Sequence, residues 1–279
     1  MLKFLKKITE RKVAVLGLVL LLLVVLMAVF APLLAPLDPQ AQNIEWRLKP
    51  PGWTDTEGHK HILGTDQLGR DIFSRVILGS RVSISVATGA VLIGGVMGLV
   101  IGMVSGYSGG WVDSALMRLA DMQLAFPFIL LALTMVTILG PSVWNVILVL
   151  SITSWISYAK VVRSSVLSIK HLEFIESTRA IGASRFTVLF RHILPNIMSP
   201  FIVVASFEIA TLIIAESSLS FLGLGVPASQ PTWGGMLADG REYMIDAWWI
   251  AVFPGLMLML VAISANLFGD GLRDALDPH

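Results

Sequence analysis

The chain has 279 residues, of which 55% are hydrophobic and 14% charged, with a mean hydropathy of +0.79 and a formal net charge of +1. These values leave too few polar residues to cover a water-facing surface of this size, and they predict an integral membrane protein. The charge is nearly balanced and no basic, aromatic-interleaved patch occurs, so we predict no nucleic-acid partner. The absence of cysteine excludes disulfides and thiolate metal sites.

The N-terminal region combines a basic segment with a charge-free apolar stretch, Val13–Leu37. That stretch exceeds the ~20 residues needed to cross a bilayer, and it ends in prolines rather than in a small-residue cleavage site. We therefore predict an uncleaved first transmembrane helix. The basic residues that precede it place the N-terminus in the cytoplasm by the positive-inside rule. They are Lys3, Lys6, Lys7, Arg11 and Lys12.

A polar, proline-containing segment follows, Asp38–Arg81, and we predict that it forms an extracytoplasmic loop. Asp71 and Arg75 are four residues apart, which predicts an ion pair on a short helix. His59 and His61 could form a metal-binding pair, but their place in a polar outer loop explains them better. We predict no metal site from the sequence.

Five further spans are predicted from long, predominantly apolar stretches. The 38 residues of Met122–Ala159 are too many for one crossing, and Gly140-Pro141 divides them because proline cannot continue a helical hydrogen-bond ladder. Six spans place both termini in the cytoplasm. The predicted second to sixth spans are Val82–Val112, Leu116–Leu139, Val143–Ala159, Pro200–Phe221 and Ala247–Phe268.

The second span carries a glycine every four residues, at Gly94, Gly98, Gly102 and Gly106. Small residues at this spacing lie on one face of a helix and allow a second helix to approach closely. We predict a helix-packing face.

Common enzymatic motifs are missing from the sequence. There is no G-x-x-x-x-G-K-[ST] motif, so the chain does not bind ATP through a P-loop. The motif H-E-x-x-H is also absent. We predict a protein that is not an enzyme and that binds no cofactor itself.

A charged segment, EFIESTRAIGASRFTVLFRHILP (Glu173–Pro195), separates the fourth and fifth spans. Glu173–Ile181 predicts a short helix, and Gly182 permits a sharp turn after it. Beyond the turn, apolar residues recur at i, i+3, i+4 and i+7, which is typical of a surface helix, and Pro195 is predicted to end it. These apolar residues are Phe186, Leu189, Phe190 and Ile193. The pattern leaves open whether the segment docks a partner or only lies on the membrane surface.

The spacing of Glu176, Gly182, Leu194 and Pro195 resembles the E-A-A-x3-G-x9-I-x-L-P loop in membrane subunits of bacterial ATP-binding-cassette (ABC) importers. Two alanines are replaced by Ser177 and Thr178, and His192 stands at the isoleucine position. Three more stretches are similar to hallmarks of the dipeptide/oligopeptide/nickel permease subfamily, and within it to the C-type of two paired permeases. They are LGTDQLGRDIFSRVILGSRVS (Leu63–Ser83), ESSLSFLGLGVP (Glu216–Pro227) and NLFGDGLRDALDP (Asn266–Pro278).

The resemblance implies an all-α membrane protein with a MetI-like core of five helices after one N-terminal helix. The expected regions are 1–37, the outer loop 38–81, the core 82–268 with a coupling loop at 160–199, and a cytoplasmic tail at 269–279. It also implies that Glu173–Pro195 is a coupling helix seated in a groove of an ATPase. The expected contact residues are Glu173, Glu176, Arg179, Ala180, Gly182, Ala183, Arg185, Leu194 and Pro195.

The resemblance further implies an importer of short peptides in the cytoplasmic membrane of a prokaryote. Its partners would be a homologous second permease, two cytoplasmic ATPases that bind ATP and Mg²⁺, and an extracytoplasmic binding protein. Nickel complexes or glutathione are the alternative substrates within the same importer type.

Two carboxylates, Glu208 and Glu216, lie in the fifth span, where an ionised side chain costs ~2.5–3.5 kcal/mol on insertion scales. They are about 80° apart around the helix, so both could face one cavity. They are candidates for lining a transport pathway, or each could bind a neighbouring polar group. A secondary transporter driven by an ion gradient, with these residues as proton sites, is a different class of protein. No inverted repeat is evident to support it.

Overall fold

The structure is a computed structural model, and it describes residues 11–276. Its helices are α1 (Lys12–Val29), α2 (Ala31–Leu34), a 3₁₀ turn (Ile44–Trp46), α3 (Ile72–Ser108), α4 (Gly110–Leu124), α5 (Phe128–Leu139), α6 (Val143–Ile169), α7 (Glu173–Ala180), α8 (Arg185–Thr187), a π-helical turn (Val188–Ile193), α9 (Leu194–Phe221), α10 (Trp233–Arg241) and α11 (Trp249–Leu276). In this part of the chain the only strands are β1 (Trp53–Thr54) and β2 (Lys60–His61), which form an antiparallel hairpin. The predicted all-α class is confirmed. The basic residues before Arg11 and the last three residues of the predicted tail lie outside the described residues.

Within residues 11–276, five segments are long and apolar enough to cross a membrane, namely α1, α3, α6, α11 and α9 with the turns before it. Helices α4 and α5 together are also long and apolar enough to cross a membrane, but their axes meet at a bend of 89°. The bend falls between Leu124 and Phe128, where Pro127 lacks an N–H group and disfavours helical geometry in the residue before it. The sequence predicted an unbroken third span here, and that was wrong.

The bent pair connects opposite ends of the bundle. At one end, Lys170 Nζ donates to the Gly106 carbonyl (2.8 Å), and Arg163 of α6 binds Asp113 of α4. At the other end, Asn145 of α6 donates to the Leu139 carbonyl at the end of α5 (2.8 Å). Counted as one broken span, the pair α4–α5 brings the described chain from five candidate spans to the predicted six.

Charged residues lie inside α3 and α6, which extend beyond the predicted ends of their spans. α3 begins ten residues before the predicted Val82, and α6 continues to Ile169, beyond the predicted end at Ala159. The buried Arg75 in the first turn of α3 pairs with Asp66 (3.5 Å) and Asp239 (3.7 Å). Because such charges have partners, they do not mark the helix ends.

The predicted ion pair between Asp71 and Arg75 does not form. Asp71 is the N-cap of α3, and its Oδ2 accepts the Ser74 N–H (2.7 Å). Its other oxygen is 3.0 Å from Nδ1 of the buried His61 in β2. The capping role therefore turns the Asp71 carboxylate away from Arg75 and ties the hairpin to the start of α3.

The glycine ladder of α3 packs against α6. A Cβ atom added at Gly98 would lie 2.5 Å from the Trp155 carbonyl oxygen, and one at Gly102 would lie 2.6 Å from the Ala159 carbonyl oxygen. At Gly106 the nearest atom is Cβ of Val166, at 2.8 Å. Gly94 meets the hydroxyl of Ser154 in the same way. The two helix backbones approach so closely that no side chain fits between them, and we call this contact the α3–α6 seam.

Candidate functional site

The segment between α6 and α9 begins with the short helix α7 and a sharp turn. The turn residue Gly182 has a φ of +88°, which L side chains rarely adopt. Its N–H donates to the Arg179 carbonyl (2.9 Å), and the Ala183 N–H donates to the Thr178 carbonyl (3.3 Å). These bonds satisfy carbonyl groups at the end of α7. Apart from Gly182 itself and its two neighbours in the chain, no residue of 11–276 has an atom within 4 Å of a Cβ placed at Gly182.

The second half of the segment joins directly to the fifth span. Ser184 caps α8 by accepting the Thr187 N–H (3.2 Å), and a π-helical turn then leads into α9. Pro195 lies in the first turn of α9, so the prediction that it ends a helix was wrong. Proline is tolerated there because it lacks the N–H that a regular α-helix would bond to the carbonyl of Arg191.

Apolar residues in this segment lie on two separate faces. Ile175, Val188 and Ile193 are fully buried in a cluster with residues of α3 and α6. Phe186 and Phe190 are 75% and 55% exposed, and their rings stack with centroids 6.2 Å apart. The sequence predicted a single stripe that contained Phe186, Phe190 and Ile193. The π-helical turn separates them, because its i→i+5 bonds change the spacing of residues on a face.

Most residues predicted to contact a partner are exposed around this turn. Glu173, Glu176, Arg179, Ala180, Gly182, Arg185 and Pro195 are exposed, and Ala183 and Leu194 are half-buried. The Arg179 guanidinium lies 5.0 Å from the ring centroid of Tyr107 at the end of α3, a cation–π contact. Tyr107, Arg179, Arg185 and Phe186 border a cavity of about 620 Å³. Tyr107 was not predicted, because nothing in its local sequence indicates its distant neighbours.

The two carboxylates of α9 have different surroundings. Glu216 is fully buried, and its carboxylate accepts hydrogen bonds from the hydroxyls of Ser220 (2.7 Å), Ser83 (3.2 Å) and Ser217 (3.3 Å). The bond to Ser83 joins α9 to α3. Glu208 is half-buried and lies beside Ser157 of α6. The structure therefore does not bring the two carboxylates to one common surface.

Comparisons with known proteins define the class of this chain. The model of the family described as "binding-protein-dependent transport system inner membrane component" matches residues 98–279, and that of the "N-terminal TM domain of oligopeptide transport permease C" matches residues 3–51. The chain belongs to this family of transport permeases, and the resemblance drawn from its motifs is confirmed.

Similar curated proteins cover nearly the whole chain. The di/tripeptide transport system permease protein DppC of Pseudomonas aeruginosa is 40% identical over 99% of this chain and 91% of its own length. The glutathione transport system permease protein GsiD of Pectobacterium atrosepticum is 41% identical over 99% and 90%. The probable D,D-dipeptide transport system permease protein DdpC of Escherichia coli is 39% identical over 93% and 85%.

Among solved structures, an inward-facing form of the MetNI methionine ABC transporter is similar to this chain. The TM-score is 0.61 at 18% identity, and the match covers 74% of this chain and 98% of the other. This similarity establishes the MetI-like fold.

Proposed function

We propose that this chain is the permease subunit through which an ABC importer moves short peptides across the cytoplasmic membrane of a bacterium. Its relatives are named as permeases for di- and tripeptides, D,D-dipeptides and glutathione, which is itself a tripeptide. Their shared substrate chemistry favours peptides over nickel complexes. Membership of a binding-protein-dependent family argues against a secondary transporter.

We propose that Glu173–Pro195 is the coupling segment and that it docks into a cytoplasmic ATPase. The observation that carries this proposal is the combination of one buried and one exposed apolar face. Ile175, Val188 and Ile193 anchor the segment to α3 and α6, while Phe186 and Phe190 remain uncovered. A segment packed on two spans and continuous with a third can transmit the motion of a docked partner into the bundle.

The positive-inside rule supports the proposed orientation. The coupling segment, with its basic residues, and the basic N-terminus would face the cytoplasm, and so would the C-terminus after six spans. The outer region Asp38–Asp71 would then face the binding protein, and a homologous second permease would complete the pathway. ATP and Mg²⁺ would be bound by two partner ATPases, and this chain would supply no catalytic residue.

We propose Glu208 and Glu216 as candidates for lining the transport pathway, and of the two we favour Glu208. Glu208 is half-buried, so it is available to a cavity formed with the second permease. Glu216 has three hydroxyl donors, an arrangement that supports a structural role. Glu208→Gln should lower peptide uptake while the complex still assembles. Normal uptake by the Glu208→Gln, Glu216→Gln double variant would reject a pathway role for both.

The test of coupling is Gly182→Asp in the assembled importer. The new side chain would enter the open space that we assign to the ATPase, so ATPase co-purification or peptide uptake should fall at least about tenfold. Glu176→Ala should give a weaker loss. Gly223→Asp is a matched control, because Gly223 has a similar φ of +79° and equally open surroundings in the described chain, but lies beyond the opposite end of α9. It should retain ATPase binding.

Two results would decide against this proposal. Normal ATPase binding and normal uptake by Gly182→Asp would reject the coupling role. If the segment only lies on the membrane surface, polar substitutions of Phe186 and Phe190 would loosen membrane contact while Gly182→Asp was tolerated. For the substrate, competition of a labelled dipeptide by unlabelled dipeptide, by glutathione and by nickel would rank the three classes directly.

A further inference from the structure

The hairpin β1–β2 of the outer region holds a carboxylate in a fixed orientation. Oδ1 of Asp55 accepts the backbone N–H groups of Glu57 (2.8 Å) and His59 (2.9 Å), so the turn wraps around this oxygen. Burial alone would raise the pKa of Asp55, but the hydrogen bonds from the His59 and Glu57 backbone and the nearby His59 ring outweigh it and lower this pKa. The two backbone N–H groups fix the Asp55 carboxylate inside the turn.

The second oxygen of Asp55 lacks a hydrogen-bond donor among residues 11–276. The Asp55 side chain is fully buried, and its Oδ2 lies 3.3 Å from His59 Nδ1 and 3.5 Å from His61 Nε2 without hydrogen-bond geometry to either. Nε2 of His61 is likewise buried and unpartnered in this part of the chain. His61 Nδ1 is 3.0 Å from the Asp71 carboxylate, which only accepts, so Nδ1 carries the proton in a neutral His61. Two buried acceptors then face each other, an arrangement that a cation between the ring and the carboxylate would relieve.

Two exposed side chains complete a set of metal ligands beside Asp55. Glu57 Oε2 lies 3.7 Å from His59 Nδ1, and the ligand atoms of Asp55, Glu57 and His59 all lie within 4.8 Å of one another. Bonds of about 2.0–2.1 Å to a tetrahedral Zn²⁺ imply ligands about 3.3 Å apart, a spacing that the exposed Glu57 and His59 side chains can reach by small rotations. The same residues border a cavity of about 300 Å³, which gives an ion room to enter.

We propose that Asp55, Glu57 and His59 form a binding site for a divalent first-row transition-metal ion such as Zn²⁺. Imidazole and carboxylate ligands suit such ions, and the neighbouring His61, oriented by Asp71, supplies a further buried nitrogen. Because Asp71 also caps α3, a bound ion fixes the hairpin against the start of the second span. The site differs from the expectation drawn from the sequence, which explained His59 and His61 as polar loop residues.

The test is Zn²⁺ binding by the purified full-length chain, carried on a tag without histidine and first stripped with a chelator. Calorimetric titration should give one ion per chain, and Zn²⁺ should raise the thermal stability of the stripped protein. His59→Ala and Glu57→Gln should each weaken binding at least about tenfold, and Asp55→Asn should abolish it. His171→Ala is the control, because His171 is an exposed histidine 3.9 Å from Glu176 in the distant coupling segment. It should leave binding unchanged.

The side chains of His59 and Glu57 are 50% and 65% exposed, so their substitution should not unfold the protein. Weaker binding by these variants would therefore report on the site itself. Equal thermal stability of wild type and His59→Ala in chelator would verify that both are folded. The proposal is overturned if wild type binds Zn²⁺ no more tightly than His59→Ala. It is also overturned if His171→Ala removes the binding, which would identify an adventitious surface ion. The proposal is likewise overturned if neither Zn²⁺ nor chelator changes the thermal stability of the wild-type protein.

Discussion

Glycine is required for different physical reasons in the α3–α6 seam and in the coupling segment. In the seam, the positions where Cβ atoms would lie at Gly98, Gly102 and Gly106 are 2.5–2.8 Å from atoms of α6, so these residues are glycines because no space exists. At Gly182 the space is open in the described chain, and the residue is glycine because the backbone has a φ of +88°. The difference separates a contact that is complete within this chain from a surface that we propose a partner completes.

The same contrast explains which parts of the bundle can move. Backbone packing without intervening side chains leaves the seam little freedom, because any shift of α3 along α6 would bring backbone atoms into collision. The coupling segment is held on one face only. We infer that the seam moves as a rigid unit and that the coupling segment passes motion to it through Val162, Val166 and Met103.

The largest effect is expected for Gly98→Leu. The added side chain would collide with the Trp155 carbonyl and with Tyr158, and because the obstacle at Trp155 is backbone, rotamer changes cannot relieve it. We expect little folded protein, measured as the monodisperse fraction after detergent extraction. Val96→Leu is the matched control in the same helix, since Val96 is 59% exposed toward the proposed lipid face. A stable, well-extracted Gly98→Leu protein would show that the seam can open.

The second-largest effect compares the stability contributions of the buried face and the exposed face of the coupling segment. Ile193→Ala removes a fully buried side chain and should destabilise the protein by about 2–4 kcal/mol, observed as a lower thermal stability in detergent. Phe186→Ala removes a side chain that is 75% exposed, so the stability should change by less than about 0.5 kcal/mol. ATPase co-purification should nevertheless fall for Phe186→Ala. Equal stability losses in the two variants would contradict the division into an anchored and an uncovered face.

The seam could be predicted from sequence, and much of the coupling segment could not. A four-residue glycine spacing specifies a helix face directly, because helix geometry is local and regular. The positive φ at Gly182 was predictable from the same kind of reasoning. The π-helical turn was not, since it arises where α8 joins the long helix α9, and it moves Phe186 away from Ile193. The bend before Pro127 had a visible signal in the proline itself.

Predictions from the sequence failed for charged residues whose partners are distant in the chain. Arg75 pairs with Asp239, more than 160 residues away, so the start of α3 was placed too late. Glu216 accepts a hydrogen bond from Ser83 on another helix, and the proposed metal ligands Asp55, Glu57 and His59 come together only in the folded hairpin. The periodicity of apolar residues indicates which face of a helix is buried, but it does not indicate which residues pack against that face.

A third effect concerns the polar contact that joins α9 to α3. Glu216→Ala would leave the hydroxyls of Ser83 and Ser220 without their acceptor in a buried site, and we expect a loss of about 1–3 kcal/mol in the free energy of unfolding. Glu216→Gln retains an acceptor oxygen and should lose less. Glu208→Gln, at a half-buried position of the same helix, should not change stability measurably. A loss for Glu208→Gln as large as that for Glu216→Ala would refute the structural assignment of Glu216.

The smallest effect distinguishes two ion pairs that join α4 to α6. Nε and Nη2 of Arg163 donate to the two oxygens of Asp113 at 2.5 and 2.6 Å, and these side chains are 31% and 16% exposed. The pair between Lys160 and Asp121 has one contact at 3.1 Å, with side chains 46% and 67% exposed. A bidentate arginine–carboxylate pair at a partly buried site stabilises a protein more than a single solvent-exposed contact does. Arg163→Ala should therefore cost about 1 kcal/mol, and Lys160→Ala close to nothing, in thermal unfolding measured in detergent at the same salt concentration. If both variants lose stability equally, and 1 M salt removes both losses, then the Arg163 pair is screened like a surface contact. The contact between α4 and α6 would then depend on packing alone.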